Sequence, residues 1–333
     1  MKMKERFDLE EKKLIEILNR FKPKKVLIQI PEGLKKDIFE IIKPLEKRGI
    51  EVIISGESCW GACSLALDEA KKFKVDLLIH YGHTKFFKTN FPVAYIEIVD
   101  KKNLDKLIER SLEKLEKYKR IGLSFSIQHK EQIRNVTNLL KRAGKEVFLS
   151  KKRGLVEYEG QIVGCQYLGL KEIKNNVDCF LVIGNRFHGL GAALAIPKKK
   201  VFLVDSYNEV IEDMDELKEK TINQRFFSIE KFKSAKKIGI IIETKFGQNF
   251  GNSKIIKEKI ERKKKKALII TMSEITPEKI MNFYNIDSFV ELACPRIATD
   301  DYYKYQKPLL TYKEALVGLD EKKWEDLFEE GFI

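Results

Sequence analysis

The sequence predicts an α/β protein built from three similar parallel-sheet units around a central cleft. Three short apolar runs each follow a pair of basic residues, at Lys24-Lys25, Lys119-Arg120 and Lys236-Lys237. A second apolar run follows later in each unit, and an aspartate is its second residue, at Asp76, Asp178 and Asp287. Because this pattern returns at similar intervals along 333 residues, it favours internal triplication. We therefore expect α/β units at 1–100, 101–215 and 216–333.

Each unit is predicted to run strand, helix, strand, helix, strand, often with one further strand. The apolar runs predict buried strands at 24–30, 51–54 and 75–80, at 119–125, 146–149 and 177–182, and at 236–242, 267–270 and 286–291. A short buried strand is also predicted at 162–163, and further strands are predicted at 91–98 and 200–204. Helical patterns fill 33–49, 130–144 and 253–266, the first two ending on a glycine. Strands that alternate with helices imply parallel sheets with right-handed crossovers.

The composition is that of a packed globular protein with a lysine-rich surface. Hydrophobic residues make up 43% of the chain, which excludes wholesale disorder. Lys and Arg number 64 against 50 Asp and Glu, so the formal charge is +14. Interspersed charge of this kind mostly serves solubility, although an anionic partner would also suit it. The sequence shows no signal-peptide pattern and no apolar run of membrane length, so we expect a cytoplasmic protein without a membrane partner.

Three cysteines occupy equivalent places in the predicted units. Cys59, Cys165 and Cys294 each lie in a loop of small residues that follows a predicted strand. Ligands of open parallel sheets bind beyond the carboxyl ends of the strands, so these thiols are candidate site residues. Cys179 alternates within a strand and is expected in the core. Cys63 lies four residues after Cys59, just before a predicted helix at 64–72; it could be a ligand, but packing against that helix is the favoured interpretation.

Three thiolates that meet at a pseudo-threefold axis suit a metal cluster. A four-iron cluster normally takes four thiolates, so three would leave one iron open to a substrate. Zinc is the competing metal, but a catalytic zinc site usually includes histidine. The sequence contains four histidines: His80, His83, His129 and His188. His80 ends a predicted strand and is expected to be structural. The Cys-x-x-x-Cys-x-x-Cys motif of standard radical S-adenosylmethionine enzymes is absent, because position 66 is alanine.

Five segments carry a resemblance to a known family. They are GESCWGAC at 56–63, IHYGH at 79–83, GQIVGC at 160–165, GNRFH at 184–188 and ACPRIATDDY at 293–302. Together they resemble the archaeal diphthamide-biosynthesis family, the 2-(3-amino-3-carboxypropyl)histidine synthases. The resemblance extends from about residue 7 to about residue 320, and its most specific part is ACPR followed by DDY.

The resemblance implies a homodimer of triplicated α/β chains and a radical mechanism. Cys59, Cys165 and Cys294 match the three family cysteines that hold a [4Fe–4S] cluster. With an electron from a donor, that cluster cleaves the Cγ–S bond of S-adenosylmethionine and leaves methylthioadenosine. The 3-amino-3-carboxypropyl radical then adds to C2 of a histidine in translation elongation factor 2, the protein partner. The resemblance implies no direct role for nucleic acid.

Three further residues are candidates for contact with S-adenosylmethionine. Arg296 lies two residues after Cys294, and a planar guanidinium would suit the carboxylate of the cosubstrate. His83 and His188 follow the third strands of their units in glycine-containing loops, where they would contact the cosubstrate or a proton network.

Two other functions stay open at this point. A quinolinate-synthase-like dehydratase also has three α/β units and a three-cysteine cluster, and its open iron acts as a Lewis acid without added electrons. A basic, non-enzymatic RNA-binding protein would explain the charge, but the chain carries no recognisable nucleic-acid motif.

Overall fold

A computed structural model describes residues 3–333, and within them it contains three largely parallel sheets and one two-stranded ribbon. The chain enters through α1 (Met3–Arg6), and the ribbon pairs β1 (Phe7–Asp8) with β6 (Val99–Asp100). The predicted α/β class with parallel sheets is confirmed. Helices cover both faces of each sheet, so each sheet has a hydrophobic core on either side.

The first sheet has the strand order β3-β2-β4-β5, all parallel. Its elements are α2 (Glu11–Phe21), β2 (Lys25–Gln29), α3 (Glu32–Lys35), α4 (Ile38–Glu46), β3 (Glu51–Ile54), α5 (Leu67–Lys72), β4 (Leu77–Tyr81) and β5 (Val93–Ile96). The single helix predicted at 33–49 is therefore two helices. The helix predicted at 64–72 begins only at Leu67, after a 3₁₀ turn at Ala62–Ser64.

The second sheet has the order β8-β7-β9-β10-β11, with only β11 antiparallel. Its elements are α6 (Asp105–Lys114), β7 (Arg120–Phe125), α7 (Ile133–Arg142), β8 (Glu146–Leu149), α8 (Leu168–Ile173), β9 (Cys179–Gly184), α9 (Arg186–Ala195), β10 (Lys200–Asp205), β11 (Val210–Asp213) and α10 (Asp215–Ser234). A 3₁₀ helix at Ile127–Gln132 replaces the start of the predicted helix 130–144.

The strand predicted at 162–163 is wrong. That stretch makes only isolated bridges, Phe125 with Gln161 and Val163 with Gln166. Cys165 consequently lies in the long loop between β8 and α8 rather than after a regular strand. The apolar pair Ile162-Val163 reflects loop burial against the sheet, which a short apolar run does not distinguish from a strand.

The third sheet has the order β13-β12-β14-β15, all parallel. Its elements are β12 (Lys237–Glu243), α11 (Ser253–Arg262), β13 (Lys266–Met272), α12 (Pro277–Met281), β14 (Ser288–Glu291), α13 (Pro295–Asp300), β15 (Leu309–Leu310), α14 (Tyr312–Gly318) and α15 (Asp326–Glu330). A 3₁₀ turn at Tyr302–Lys304 follows α13. All three sheets thus share the order second, first, third and fourth strand of the unit. None of the helices in the described residues is both long and apolar enough to cross a bilayer.

The repeated aspartates make the same contact in all three units. The Asp76 carboxylate accepts the backbone N–H groups of Lys24 and Lys25 at 2.7 and 2.9 Å. Asp178 does so with Lys119 and Arg120, and Asp287 with Lys236 and Lys237. Each carboxylate therefore ties the start of the third strand to the start of the first. These hydrogen bonds lower the pKa of all three aspartates.

We expect Asp178→Ala to lower the free energy of unfolding by about 1–2 kcal/mol at pH 7, because it removes charge-assisted hydrogen bonds to backbone and to Arg120. Since folding lowers the pKa of Asp178, its contribution is present above the ordinary carboxyl pKa of about 4 and is lost as the pH falls further. Urea unfolding at pH 7 and about pH 3 should therefore show the difference from wild type shrinking on acidification. An equal difference at both pH values, or an equal loss in the exposed control Glu219→Gln, would contradict this role.

Candidate active site

The thiols of four cysteines, drawn from all three units, lie close enough to interact electrostatically. Cys63 interacts with Cys59, Cys165 and Cys294, and Cys165 interacts with Cys294. Burial is the main cause that raises the pKa of Cys59 and Cys165 to about 12 and of Cys63 to about 11, and it raises that of Cys294 well above its ordinary value. The thiols are therefore protonated at neutral pH. Binding a metal would have to displace their protons.

Cys59 is held by the first helical turn after β2. Its backbone N–H donates to the Glu32 carboxylate at 2.9 Å. Lys35 pairs with Glu32 and donates to the carbonyl oxygens of Gly56 and Glu57 at 3.2 and 2.9 Å. The loop that carries Cys59 is thus fixed to the carboxyl end of β2.

Cys294 is the N-cap of α13 and lies three residues after the end of β14. Pro295 takes the first helical position, where proline loses no hydrogen bond. The Glu291 side chain accepts the N–H of Ala293 at 2.7 Å, while its other carboxyl oxygen has no partner. Burial raises the pKa of Glu291, which favours the protonated form of this carboxyl group.

Cys63 belongs to the site, contrary to the expectation that it packs in a helix. It lies in the 3₁₀ turn Ala62–Ser64, and its carbonyl accepts the N–H of Gly247 at 2.9 Å. The side-chain amide of Gln248 lies 3.5 Å from Cys63 Sγ. Its hydrogen bonds to Glu243 and Cys63 are both possible only when the amide nitrogen faces the Glu243 carboxylate and the amide oxygen faces Cys63. The Cys63 thiol therefore donates a hydrogen bond to Gln248. Cys179, by contrast, is buried in the core of the second sheet, as expected.

Arg296 is not free to bind a carboxylate ligand. Its guanidinium is only 3% exposed and pairs through both edge nitrogens with Asp300 of its own helix. The remaining donors reach the carbonyl oxygens of Gly164 at 3.3 Å and Phe187 at 2.7 Å. The Phe187 ring lies 4.1 Å from the guanidinium carbon. Arg296 thus joins the Cys294 helix to the loop that carries Cys165, and these contacts favour a positioning role over the expected contact with the cosubstrate.

Two glycines make room for Arg296. A Cβ on Gly191 would overlap Nη1 of Arg296 and the hydroxyl of Tyr167. A Cβ on Gly164 would overlap the ring of Phe187, which covers the guanidinium. The contact between the second and third units therefore requires small residues at both places.

His83 and His188 face the same site. Burial, with the nearby Arg296 charge, lowers the pKa of His188 to about 3, and His83 is also among its electrostatic neighbours. The Nδ1 of His188 lies 2.9 Å from Oδ1 of Asn185, the residue that caps α9. Burial lowers the pKa of His83 to about 4. Both imidazoles are neutral at physiological pH.

His80 also lies at the site, although the sequence indicated only a structural role. Its Nε2 lies 3.0 Å from Nδ1 of His83, and its Nδ1 lies 3.0 Å from Oε1 of Gln29. One ligand atom from each of Cys59, His80 and His83 lies within 4.8 Å of the others. A histidine at the end of an apolar strand gave no sign of this grouping, which depends on the turn at Gly82, where φ is positive.

Comparison with known proteins identifies the family. A family model of diphthamide synthesis proteins matches residues 30–329. The chain belongs to this family. It is 31% identical over 95% of its length to the 2-(3-amino-3-carboxypropyl)histidine synthase of Pyrococcus horikoshii, covering 92% of that protein. It is 32% identical over 98% of its length to the enzyme of the same name from Methanocaldococcus jannaschii, covering 95% of that one.

A solved structure agrees with the sequence relatives. The crystal structure of Dph2 from Pyrococcus horikoshii with a 4Fe-4S cluster superposes with a TM-score of 0.86 at 30% identity, covering 95% of this chain and 92% of that one. The expected family and fold are thereby confirmed. Both archaeal relatives are named as synthases, so the comparisons give no support to the dehydratase or RNA-binding alternatives.

We expect Gly191→Ala to lower the free energy of unfolding by about 1–3 kcal/mol, because the added methyl group displaces the buried Arg296 guanidinium. The matched control is Gly33→Ala in α3, where nothing lies within 4 Å of the new methyl group and the helix gains up to about 1 kcal/mol. Denaturant unfolding of the two variants measures the difference. Equal stability of both variants would show that Arg296 does not need this space.

Proposed function

We propose that this chain is a 2-(3-amino-3-carboxypropyl)histidine synthase, which catalyses the first step of diphthamide biosynthesis. It transfers the 3-amino-3-carboxypropyl group of S-adenosylmethionine to C2 of a histidine in translation elongation factor 2. One observation carries the proposal: thiols from all three units meet at one buried site in a chain that matches this family along nearly its whole length.

Cys59, Cys165 and Cys294 would hold a [4Fe–4S] cluster. The residues fit, because each thiol comes from a different unit and the surrounding loops contain small residues. The Cys63 thiol contacts the Gln248 amide at 3.5 Å, and the proposal assigns it no place among the ligands. When bound, the cluster supplies the electron that breaks the Cγ–S bond of S-adenosylmethionine. An external electron donor is part of the proposal.

The charges that line the site suit a cationic cosubstrate. His83 and His188 are neutral, and Asp300 compensates the charge of Arg296. A sulfonium ion therefore meets no uncompensated cation among these residues. His83 and His188 offer imidazole lone pairs that can accept hydrogen bonds from the ammonium group of the cosubstrate.

The target atom explains why the site is built to bury its reactants. An ionic alkylation of imidazole would favour a ring nitrogen, whereas a carbon radical can add to C2. Such a radical must be kept from water and solvent-borne donors, and the buried thiol site is suited to that. The proposal includes a homodimer, with units 1–100, 101–215 and 216–333 in each chain.

The cysteine assignment predicts separate outcomes for the four thiols. Reconstituted Cys59→Ala, Cys165→Ala and Cys294→Ala should each lose most of their iron and form no methylthioadenosine when reduced with S-adenosylmethionine. Cys63→Ser should keep both, because a serine hydroxyl can still donate to Gln248. Iron analysis and chromatography of the nucleosides measure the two properties.

Three results would contradict the proposal. Loss of iron in Cys63→Ser equal to that in the other variants would make Cys63 a ligand. Formation of deoxyadenosine in place of methylthioadenosine would mean that a different bond of the cosubstrate is cleaved. Full methylthioadenosine formation without transfer to translation elongation factor 2 would exclude the proposed protein substrate.

A further inference from the structure

Cys59 has two histidine neighbours that the proposed three-cysteine site does not use as metal ligands. His80 and His83 place one ring nitrogen each within 4.8 Å of Cys59 Sγ and of one another. His80 and Cys59 are buried, and His83 is half-buried. We propose that, in the cluster-free protein, Cys59, His80 and His83 form a tetrahedral site for a divalent cation of the zinc class.

The spacing of the donor atoms fits such an ion. In tetrahedral zinc sites, nitrogens about 2.0–2.1 Å from the metal lie about 3.3–3.4 Å from each other. The Nε2 of His80 and the Nδ1 of His83 are 3.0 Å apart. The two nitrogens would have to separate by a few tenths of an ångström, and both rings would have to turn so that their lone pairs converge on the cation and not on each other.

Gln29 holds His80 in the tautomer that a metal ligand needs. The Gln29 amide nitrogen donates to the carbonyl of Ser64 at 2.7 Å, and its oxygen accepts the N–H of Ala66 at 3.1 Å. The two backbone contacts fix the orientation of the Gln29 amide, so its oxygen Oε1 faces His80 and accepts the Nδ1–H of that ring. The Nε2 of His80 therefore carries the lone pair, and it points at His83. Metal-binding histidines commonly donate their other N–H to such an oxygen.

A divalent cation would take the place of a proton in this arrangement. Without metal, Nδ1–H of His83 donates to the lone pair of His80. On binding, the proton of His83 moves to Nε2 of the same ring and the Cys59 thiol releases its proton to solvent. One proton leaves for each cation bound, and no group is oxidised or reduced. Water would occupy the fourth coordination position of the cation. The Glu32 carboxylate, which accepts a hydrogen bond from the N–H of Cys59, adds negative charge nearby.

The cation site and the proposed cluster exclude one another, because both need Cys59. Zinc in the protein would therefore delay cluster assembly by withholding one ligand. The cation site follows from the placement of its own three residues, so its test does not require an active enzyme.

The test titrates Co²⁺ into cluster-free, chelator-treated protein and follows absorption and bound metal. We expect one Co²⁺ per chain, with a thiolate-to-cobalt charge-transfer band and the visible bands of tetrahedral cobalt. Cys59→Ser should abolish the charge-transfer band. His80→Ala and His83→Ala should each weaken binding at least about tenfold, and Gln29→Leu by about 10–100-fold through loss of the ring orientation. Cys165→Ser and Cys294→Ser are the matched controls and should bind Co²⁺ as wild type does.

The same experiment has clear contrary outcomes. A charge-transfer band that persists in Cys59→Ser, or one that disappears in Cys165→Ser or Cys294→Ser, would place the metal among the other thiols and overturn the proposal. Unchanged affinity in both histidine variants would do the same. X-ray absorption of the wild-type cobalt protein avoids any folding defect in the variants: one sulfur and two imidazole neighbours support the site, whereas two or more sulfurs refute it.

Discussion

The buried guanidinium of Arg296 is the contact on which the geometry of the site depends. It lies between the second and third units, paired with Asp300 of α13 and bonded to the carbonyl oxygens of Gly164 and Phe187. The ion pair with Asp300 stays within the third unit, so separating the two units would break the hydrogen bonds from the charged guanidinium to the two carbonyl oxygens, which are worth about 1.5–3 kcal/mol each. Because Gly164 adjoins Cys165 and Cys294 immediately precedes α13, this one side chain sets the position of two thiols relative to each other.

Two smaller contacts join the first unit to the others close to the same site. Gly247 of the third unit donates to the Cys63 carbonyl, and a Cβ there would lie 2.6 Å from the Cα of Cys63, so the two loops touch through their backbones. Gln161 of the second unit donates to Thr84, next to His83, at 2.9 Å. Each pair of units thus meets beside a cysteine or histidine of the site, which explains how thiols far apart in sequence become buried together.

Periodicity predicted the parts of this structure that are local. The apolar runs located the strands that form the centre of each sheet, and the repeated aspartates bind equivalent backbone groups in all three units. The roles of Arg296, Cys63 and His80 were missed because they depend on contacts between segments distant in sequence, such as Arg296 with Gly164. The residue type shows which hydrogen bonds a side chain can make. Which partner accepts them is decided only when the three units pack together.

Three thiols, one from each unit, are proposed to hold the cluster and to leave one position open to the cosubstrate. Mössbauer spectroscopy of protein reconstituted with isotopically enriched iron, with and without S-adenosylmethionine, distinguishes this ligand set from a complete one. We expect three similar irons and one distinct iron, and only the distinct one should change when S-adenosylmethionine is added. Four irons that stay alike and do not respond to the cosubstrate would mean that a fourth residue completes the ligand set, and would contradict the three-cysteine site.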